Sequence, residues 1–226
     1  MAVNVIHDID VATKILAAVF CIIFAGYFWK RRQKAEMKST RMIFLSQGLF
    51  VLCFGITRLI FLASDYFSPY VDISLVIYQD EALYFTLWKI STLIGILAII
   101  FLLVVIETYL VKSRYILTGT ASVGLIVALL SMDQDFSRLV TYVTLPIAMF
   151  GVIFLYAYLF FKGSGDIRKK AGLSLDGFII FGIGVILDTT VGKELLEGWG
   201  IPLPAFIPVM IMIIGLAIYT YFNIKE

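Results

Sequence analysis

The chain has 226 residues, of which 61% are hydrophobic and 15% are charged, and its mean hydropathy is +0.99. Soluble domains are about half apolar and about a quarter charged, so this composition predicts a membrane protein. The formal net charge of +2 does not favour nucleic-acid binding, and the connectors between apolar runs are too short to form a soluble catalytic domain.

Seven runs have the length and apolar composition of membrane-spanning helices, which need about 20 such residues. In chain order they cover residues 11–29, 42–63, 82–111, 115–131, 139–161, 173–191 and 201–222. Continuous apolar runs without alternation predict helices and not the strands of a barrel. We therefore expect an all-α, polytopic membrane protein that forms one domain, a bundle of seven transmembrane helices.

The connectors between the runs differ in charge. Basic residues crowd every second connector and the tail: Lys30, Arg31, Arg32, Lys34, Lys38, Arg41, Lys112, Arg114, Lys162, Arg168, Lys169, Lys170 and Lys225. The other connectors are mainly acidic, with Asp65, Asp72, Asp80, Glu81, Asp133, Asp135, Glu194 and Glu197. The positive-inside rule places the basic side in the cytoplasm. We expect a multi-pass protein of the cell membrane with its N-terminus outside and its C-terminus in the cytoplasm.

Small residues mark candidate helix contacts, because they allow two backbones to approach closely. They are Ser91 and Gly95 in the third run, Thr120, Gly124 and Ala128 in the fourth, and Gly177, Gly182 and Gly184 in the sixth. Such faces suit contacts within the chain and pairing with a second copy in a homo-oligomer equally well.

Ionisable residues inside the apolar runs point to a site, because charges are costly in lipid and usually face a cavity or a partner. Arg58 and Lys89 each lie about seven residues, or about 10 Å, from the acidic ends of the second and third helices. Asp188 reaches the same level on the sixth helix. We expect these two cations to face Asp188, with Asp65 or Glu81 reaching in from the rim.

This polar cluster allows two interpretations. In the first, the cations extend to headgroups or pair with carboxylates and only join helices. In the second, two cations against one buried acid leave a positive excess that suits a small anionic ligand. The ligand-binding residues would then be Arg58, Lys89, Asp188, Thr92 and Trp88.

Metal, cofactor and catalytic chemistry find little support in the residue types. The one histidine, His7, excludes paired haem ligands and multi-histidine metal sites. Cys21 and Cys53 lie in apolar runs, where cysteine behaves as a small hydrophobe. The sequence contains no DxxD, HExxH or GxSxG string. We expect no metal, no cofactor and no enzymatic activity.

On the basic side, Glu107 lies about one turn from the end of the third run, where Lys112 or Arg114 would pair with it. A carboxylate among bases forms either a static salt bridge or a latch that changes with ligand state. The basic first connector is expected to contact anionic membrane lipids.

Seven helices invite comparison with retinal proteins, but the seventh run, IPLPAFIPVMIMIIGLAIYTYFNIKE, has no lysine before Lys225 to form a Schiff base. The order of features resembles instead the seven-helix sensor region at the N-terminus of archaeal and bacterial histidine kinases. The similar stretches are FWKRRQKAEMKSTR, GLFVLCFGITRLIF, GSGDIRKKAGLSLDGFIIFGIGVILD and IPLPAFIPVMIMIIG. We expect this protein to lack the kinase domains of that family.

This resemblance implies a stand-alone sensor or receptor-like module. It would bind a ligand outside and signal to a separate cytoplasmic protein through its basic loops. Two other functions stay open. A structural or accessory subunit of a membrane complex needs only packing faces, whereas a small solute or ion transporter needs a polar track through the bilayer.

Overall fold

A computed structural model describes residues 2–68, 80–111, 114–201 and 203–224. Within these ranges every regular element is helical, which confirms the all-α prediction. The helices are α1 Ala2–Lys34, α2 Lys38–Asp65, α3 Glu81–Ile106 with a π-helical extension Glu107–Val111, α4 Ile116–Leu130, α5 Gln134–Lys162, α6 Gly165–Asp188, α7 Thr190–Gly198 and α8 Phe206–Ile224. Aspartate side chains cap the N-termini of α3 and α5: Asp80 accepts a hydrogen bond from the Leu83 amide, and Asp133 accepts one from the Phe136 amide.

Five of these helices are long and apolar enough to cross a membrane. They are α1 from Asp8 onward, α2, α3 with its extension, α5 and α6, whereas α4 and α8 are apolar but shorter. Five such helices indicate a multi-pass membrane protein.

One helix was not predicted. The sixth run was expected to continue to residue 191, but α6 ends at Asp188 because Thr189 has extended backbone angles (φ −75°, ψ 155°). The Thr189 hydroxyl accepts a hydrogen bond from the Gly192 amide and so starts α7. The connector between α6 and α8 therefore contains a short helix of its own.

The helices follow one another around a ring. Neighbouring pairs are α1 with α2, α2 with α3, α3 with α5, α5 with α6 and α6 with α8, and α8 returns to α1. The shorter apolar helix α4 packs against α3 and α5 outside this ring. The centre of the ring is packed with side chains in one half of the bundle and contains a cavity in the other half.

Glycines allow α6 and α8 to pack backbone against backbone. A Cβ atom added at Gly177 would lie 2.7 Å from the Tyr219 amide nitrogen, and one at Gly184 would lie 2.8 Å from the Pro208 carbonyl oxygen. The prediction of close contacts at these two glycines is confirmed. Gly182 has more room, with its nearest neighbour at 3.5 Å.

The other small-residue faces also lie mainly at helix contacts. Buried Ser91 donates a hydrogen bond of 2.9 Å to the Thr57 carbonyl of α2, and a Cβ at Gly124 would overlap the Thr144 side chain of α5. Ala128 is buried, but Thr120 is exposed. These faces are used within the chain at most of the predicted positions.

Aromatic rings fill the half of the bundle that contains the C-terminal end of α8. The Phe178 ring lies 5.3 Å from Phe50 and 5.1 Å from Tyr219, and Phe28 lies 6.2 Å from Tyr219. Because all four side chains are at most 2% exposed, this half is close-packed.

Candidate ligand site

The two ends of the bundle differ in charge. Exposed carboxylates, Asp8, Glu81, Asp133 and Asp135, lie at the end where α1, α3 and α5 begin, which we name the acidic end. The opposite, basic end has the exposed side chains of Lys30, Lys34, Lys38, Lys162, Arg168, Lys169 and Lys170. The charge sorting predicted from the connectors is thus present in the fold.

A partly open cavity of about 560 Å³ occupies the acidic half of the bundle. Residues of α1, α2, α3, α5 and α6 line it, together with Ala205 just before α8. Along α2 it extends from Asp65 to Phe50, a rise of about 22 Å. The volume falls within the range of about 300–1,000 Å³ that is typical of small-molecule sites.

The inner part of this cavity is apolar. Its lining there includes Ala98 and Ile99 of α3, Met149 of α5 and Phe181 of α6. Phe50 forms part of the lining and also stacks on Phe178, so the close-packed aromatic half of the bundle begins where the cavity ends.

An ion pair crosses the cavity wall from α2 to α6. Arg58 Nη1 lies 2.6 Å from Asp188 Oδ2. The guanidinium carbon lies 4.8 Å from the centre of the Phe54 ring and 5.3 Å from that of Phe61, both on α2, which is cation–π distance. The Arg58 side chain is 9% exposed and the Asp188 side chain 23%, so the carboxylate lies closer to the opening.

A second cation, Lys14 of α1, lies between two carboxylates. Its Nζ atom is 2.7 Å from Asp10 Oδ2, one turn earlier on α1, and 2.7 Å from Asp65 Oδ2 at the end of α2. The contacts join α1 to α2 at the wall of the cavity, which all three residues line. The Asp65 side chain is 40% exposed, against 12% for Lys14 and Asp10, which places Asp65 nearest to solvent.

Aromatic side chains form another part of the wall. Tyr84 and Trp88 of α3 and Tyr142 of α5 line the cavity. The Trp88 and Tyr142 rings meet edge to face with centres 6.4 Å apart, and the Arg138 guanidinium lies 5.8 Å from the Trp88 ring centre. The wall therefore offers aromatic faces beside charged groups.

Four of the five predicted ligand-binding residues line the cavity, namely Arg58, Asp188, Thr92 and Trp88. The Thr92 hydroxyl already donates to the Trp88 carbonyl at 2.8 Å. Whether these residues bind a ligand stays a prediction. Of the two expected rim carboxylates, Asp65 is present in the lining.

Lys89 requires a correction. Its Nζ atom donates to the carbonyl oxygens of Ser131 at 2.6 Å and Leu129 at 3.2 Å, at the C-terminal end of α4. The side chain therefore caps α4, where carbonyl groups are without partners and the helix dipole is negative. The prediction that Lys89 faces Asp188 is wrong.

Sequence reasoning missed Lys14 and Asp10 as site residues. Their spacing of four positions, at the acidic end of the first apolar run, was the available signal, because residues so spaced share one helix face. With them included, the described lining residues carry three carboxylates and two cations. The expected positive excess is therefore replaced by a formal charge of about −1 when all five groups are ionised.

Glu107 has partners on α4 that the sequence did not predict. The buried carboxylate accepts hydrogen bonds from the amides of Leu117 at 3.2 Å and Thr118 at 3.0 Å, and from the Thr118 hydroxyl. It thus caps the first turn of α4. Of the predicted partners, Lys112 lies outside the described residues.

A second polar cluster lies at the basic end. Gln47 of α2 donates to Asn223 of α8 at 3.0 Å, and Asn223 donates to Ser174 of α6 at 2.8 Å. The hydroxyl groups of Tyr156 and Tyr219 are 3.2 Å apart. This network ties α2, α5, α6 and α8 together on the far side of the aromatic core.

Among the described residues, no group of three or more histidine, cysteine, aspartate or glutamate side chains is placed to hold a metal ion. No protein-family model, curated protein or solved structure matches the chain. The functional assignment therefore depends on the geometry of the cavity.

Proposed function

We propose that the protein is a receptor-like module of the cell membrane that binds a small, mainly apolar ligand in the cavity at its acidic end. The observation that carries this proposal is the cavity itself, which extends about 22 Å along α2 and is bounded by the Arg58–Asp188 ion pair and by apolar side chains. Small-molecule sites combine such an apolar interior with a few fixed polar groups.

In this proposal α1–α6 and α8 are seven spans, with the acidic end outside and the basic end in the cytoplasm. The ring closure of α8 onto α1 supports the seventh span. The contacts of α4 with α3 and α5 support the fourth, although its 15 residues cover only about 22 Å. The sorting of charge between the two ends supports the orientation.

Contacts from the cavity toward the basic end favour signalling over transport. Phe50 lines the cavity, and its ring lies 6.5 Å from Tyr219, whose hydroxyl meets Tyr156. A ligand that shifts Phe50 would therefore act on the polar network beyond it. The same aromatic packing closes the path that a transported solute would need. The resemblance to kinase sensor regions supports the same role, with a separate cytoplasmic protein as the receiver.

Ligand binding is testable through Trp88, which lines the cavity. The chain has three tryptophans, and the other two are exposed, Trp29 by 53% and Trp199 by 71%. Replacing both by phenylalanine leaves Trp88 as the fluorescent reporter. Brominated phenylbutanol, added to this variant in phosphatidylcholine nanodiscs, is expected to quench Trp88 fluorescence saturably because bromine quenches at contact.

Two matched variants separate cavity binding from partition into lipid. Gly95 lines the cavity, and a Cβ there meets its nearest neighbour only at 3.8 Å, so Gly95→Leu should fold and occupy the space. A Cβ at Gly119 of α4 meets nothing within 4 Å, which makes Gly119→Leu the control. We expect weaker quenching only in Gly95→Leu; identical, non-saturating quenching in both would refute the proposal.

Orientation is tested by single cysteines in a variant without Cys21 and Cys53. Asp135 and Lys169 are exposed at opposite ends, so each accepts a cysteine. In intact cells a membrane-impermeant maleimide should label residue 135 and spare residue 169. The reverse pattern would turn the cavity toward the cytoplasm.

A further inference from the structure

We propose that the ligand of the cavity is an organic cation, a protonated amine carried on an apolar body. This inference rests on the proposed binding function and names the chemical class that the site selects. It replaces the anionic ligand expected from the sequence, because the structure removes Lys89 from the site and adds Asp10 and Lys14 beside the expected Asp65.

The first argument is charge. Lys14 is shared by Asp10 and Asp65, at 2.7 Å from each, and Arg58 is bound to Asp188 at 2.6 Å. Two cations thus face three carboxylates, which leaves one negative charge in the described lining when all five groups are ionised. Surrounding apolar groups and lipid weaken the screening of that charge, so a cationic ligand is attracted and an anionic ligand repelled.

The second argument is an unsatisfied acceptor. Asp10 is 8% exposed, and its Oδ1 atom is buried without a hydrogen-bond partner among the described residues. A buried carboxylate oxygen without a donor is costly. An ammonium in the cavity would supply such a donor once the Asp10 side chain turns this buried oxygen toward the cavity that Asp10 lines, whereas a carboxylate or phosphate brings more acceptors.

The third argument is the aromatic wall. The cavity that holds the charged groups is also lined by Tyr66, Tyr84, Trp88 and Tyr142, and aromatic faces attract cations by their electron density. The Arg138 guanidinium lies 5.8 Å from the Trp88 ring centre but does not line the cavity. The apolar inner part, around Ile99 and Met149, then holds the body of the amine.

The test uses three brominated probes with one phenylbutyl body: the amine, the alcohol and the sulfonate. Each is titrated into the full chain that keeps only Trp88, in phosphatidylcholine nanodiscs at neutral pH. We expect the amine to bind about 10-fold more tightly than the alcohol, as one net charge at partial screening allows. The sulfonate should bind more weakly than the alcohol.

Two variants change the charge of the site in opposite directions. Asp10→Asn removes a negative charge and should weaken binding of the amine about 10-fold, with little effect on binding of the alcohol. Lys14→Met removes a positive charge and should make the amine bind more tightly. This variant keeps the test valid if Asp10→Asn does not fold. Asp135→Asn is the control, since Asp135 is exposed at the same end and lies outside the cavity; it should leave all three affinities unchanged.

The outcomes distinguish this inference from the proposed function. If the alcohol saturates and depends on Gly95 but the amine binds no better, the cavity binds ligands and the inference about charge is wrong. An Asp10→Asn effect of equal size on all three probes also overturns it. If no probe saturates, the proposed binding function fails and the ligand class fails with it.

Discussion

The Arg58–Asp188 ion pair should contribute measurably to the stability of the bundle. Two unit charges about 4 Å apart attract by about 4 kcal/mol at an effective dielectric constant of about 20, and removing one member of a buried pair typically costs about 3–5 kcal/mol. The Arg58 side chain is 9% exposed but that of Asp188 is 23% exposed, which favours the lower value. We expect Arg58→Met to reduce the free energy of unfolding by about 3 kcal/mol.

A double-mutant cycle isolates the pair. Arg58→Met, Asp188→Leu and the double variant are compared by the loss of helical circular dichroism during titration with sodium dodecyl sulfate. Since the double variant leaves no unpaired charge, its cost should be about 2 kcal/mol less than the sum of the single costs. If the single variants leave the free energy of unfolding unchanged, or if their effects are additive in the double variant, the ion pair does not stabilise the bundle as proposed.

Three further predictions concern other contacts and use the same unfolding titration. Gly215→Ala should reduce the free energy of unfolding by about 2–3 kcal/mol, because a Cβ there overlaps the backbone of α6. Gly119→Ala is the control and should cost little, because a Cβ there meets open space. Equal costs would contradict the close packing of α6 and α8. Glu107→Ala should cost about 2 kcal/mol by removing the acceptor at the start of α4, and a neutral result would exclude that capping role. Lys89→Met and Asp188→Leu should have additive effects on the free energy of unfolding, because Lys89 binds carbonyls of α4. A coupling of about 1 kcal/mol or more would support the expectation from the sequence that Lys89 faces Asp188.

Helix existence was predictable because hydropathy acts over whole spans, but local breaks were not. The runs at residues 42–63 and 139–161 correspond to α2 and α5, with ends displaced by a few residues. The break at Thr189 escaped prediction because valine and glycine after it continue an apolar pattern, whereas one hydroxyl-to-amide hydrogen bond decides where α7 begins.

The sequence predicted the level of the site residues along the bundle axis but not the direction in which each side chain points. Arg58 and Lys89 lie at one level, yet rotation about the helix axis decides what each side chain meets. On α3 the cavity lining follows Trp88, Thr92, Gly95 and Ile99, a stripe with helical period. Lys89 lies off that stripe and faces α4, and a single sequence does not reveal which stripe faces the centre.

The most direct measurement is the position of a bromine atom carried by phenylbutylamine, located by anomalous diffraction from crystals of the full chain. We expect one strong peak inside the cavity, on the side of Ile99 and Met149, with the amine end of the same molecule toward Asp10 and Asp65. Peaks confined to lipid-facing surfaces, with the cavity filled by repacked side chains, would contradict the assignment of this cavity as a ligand site.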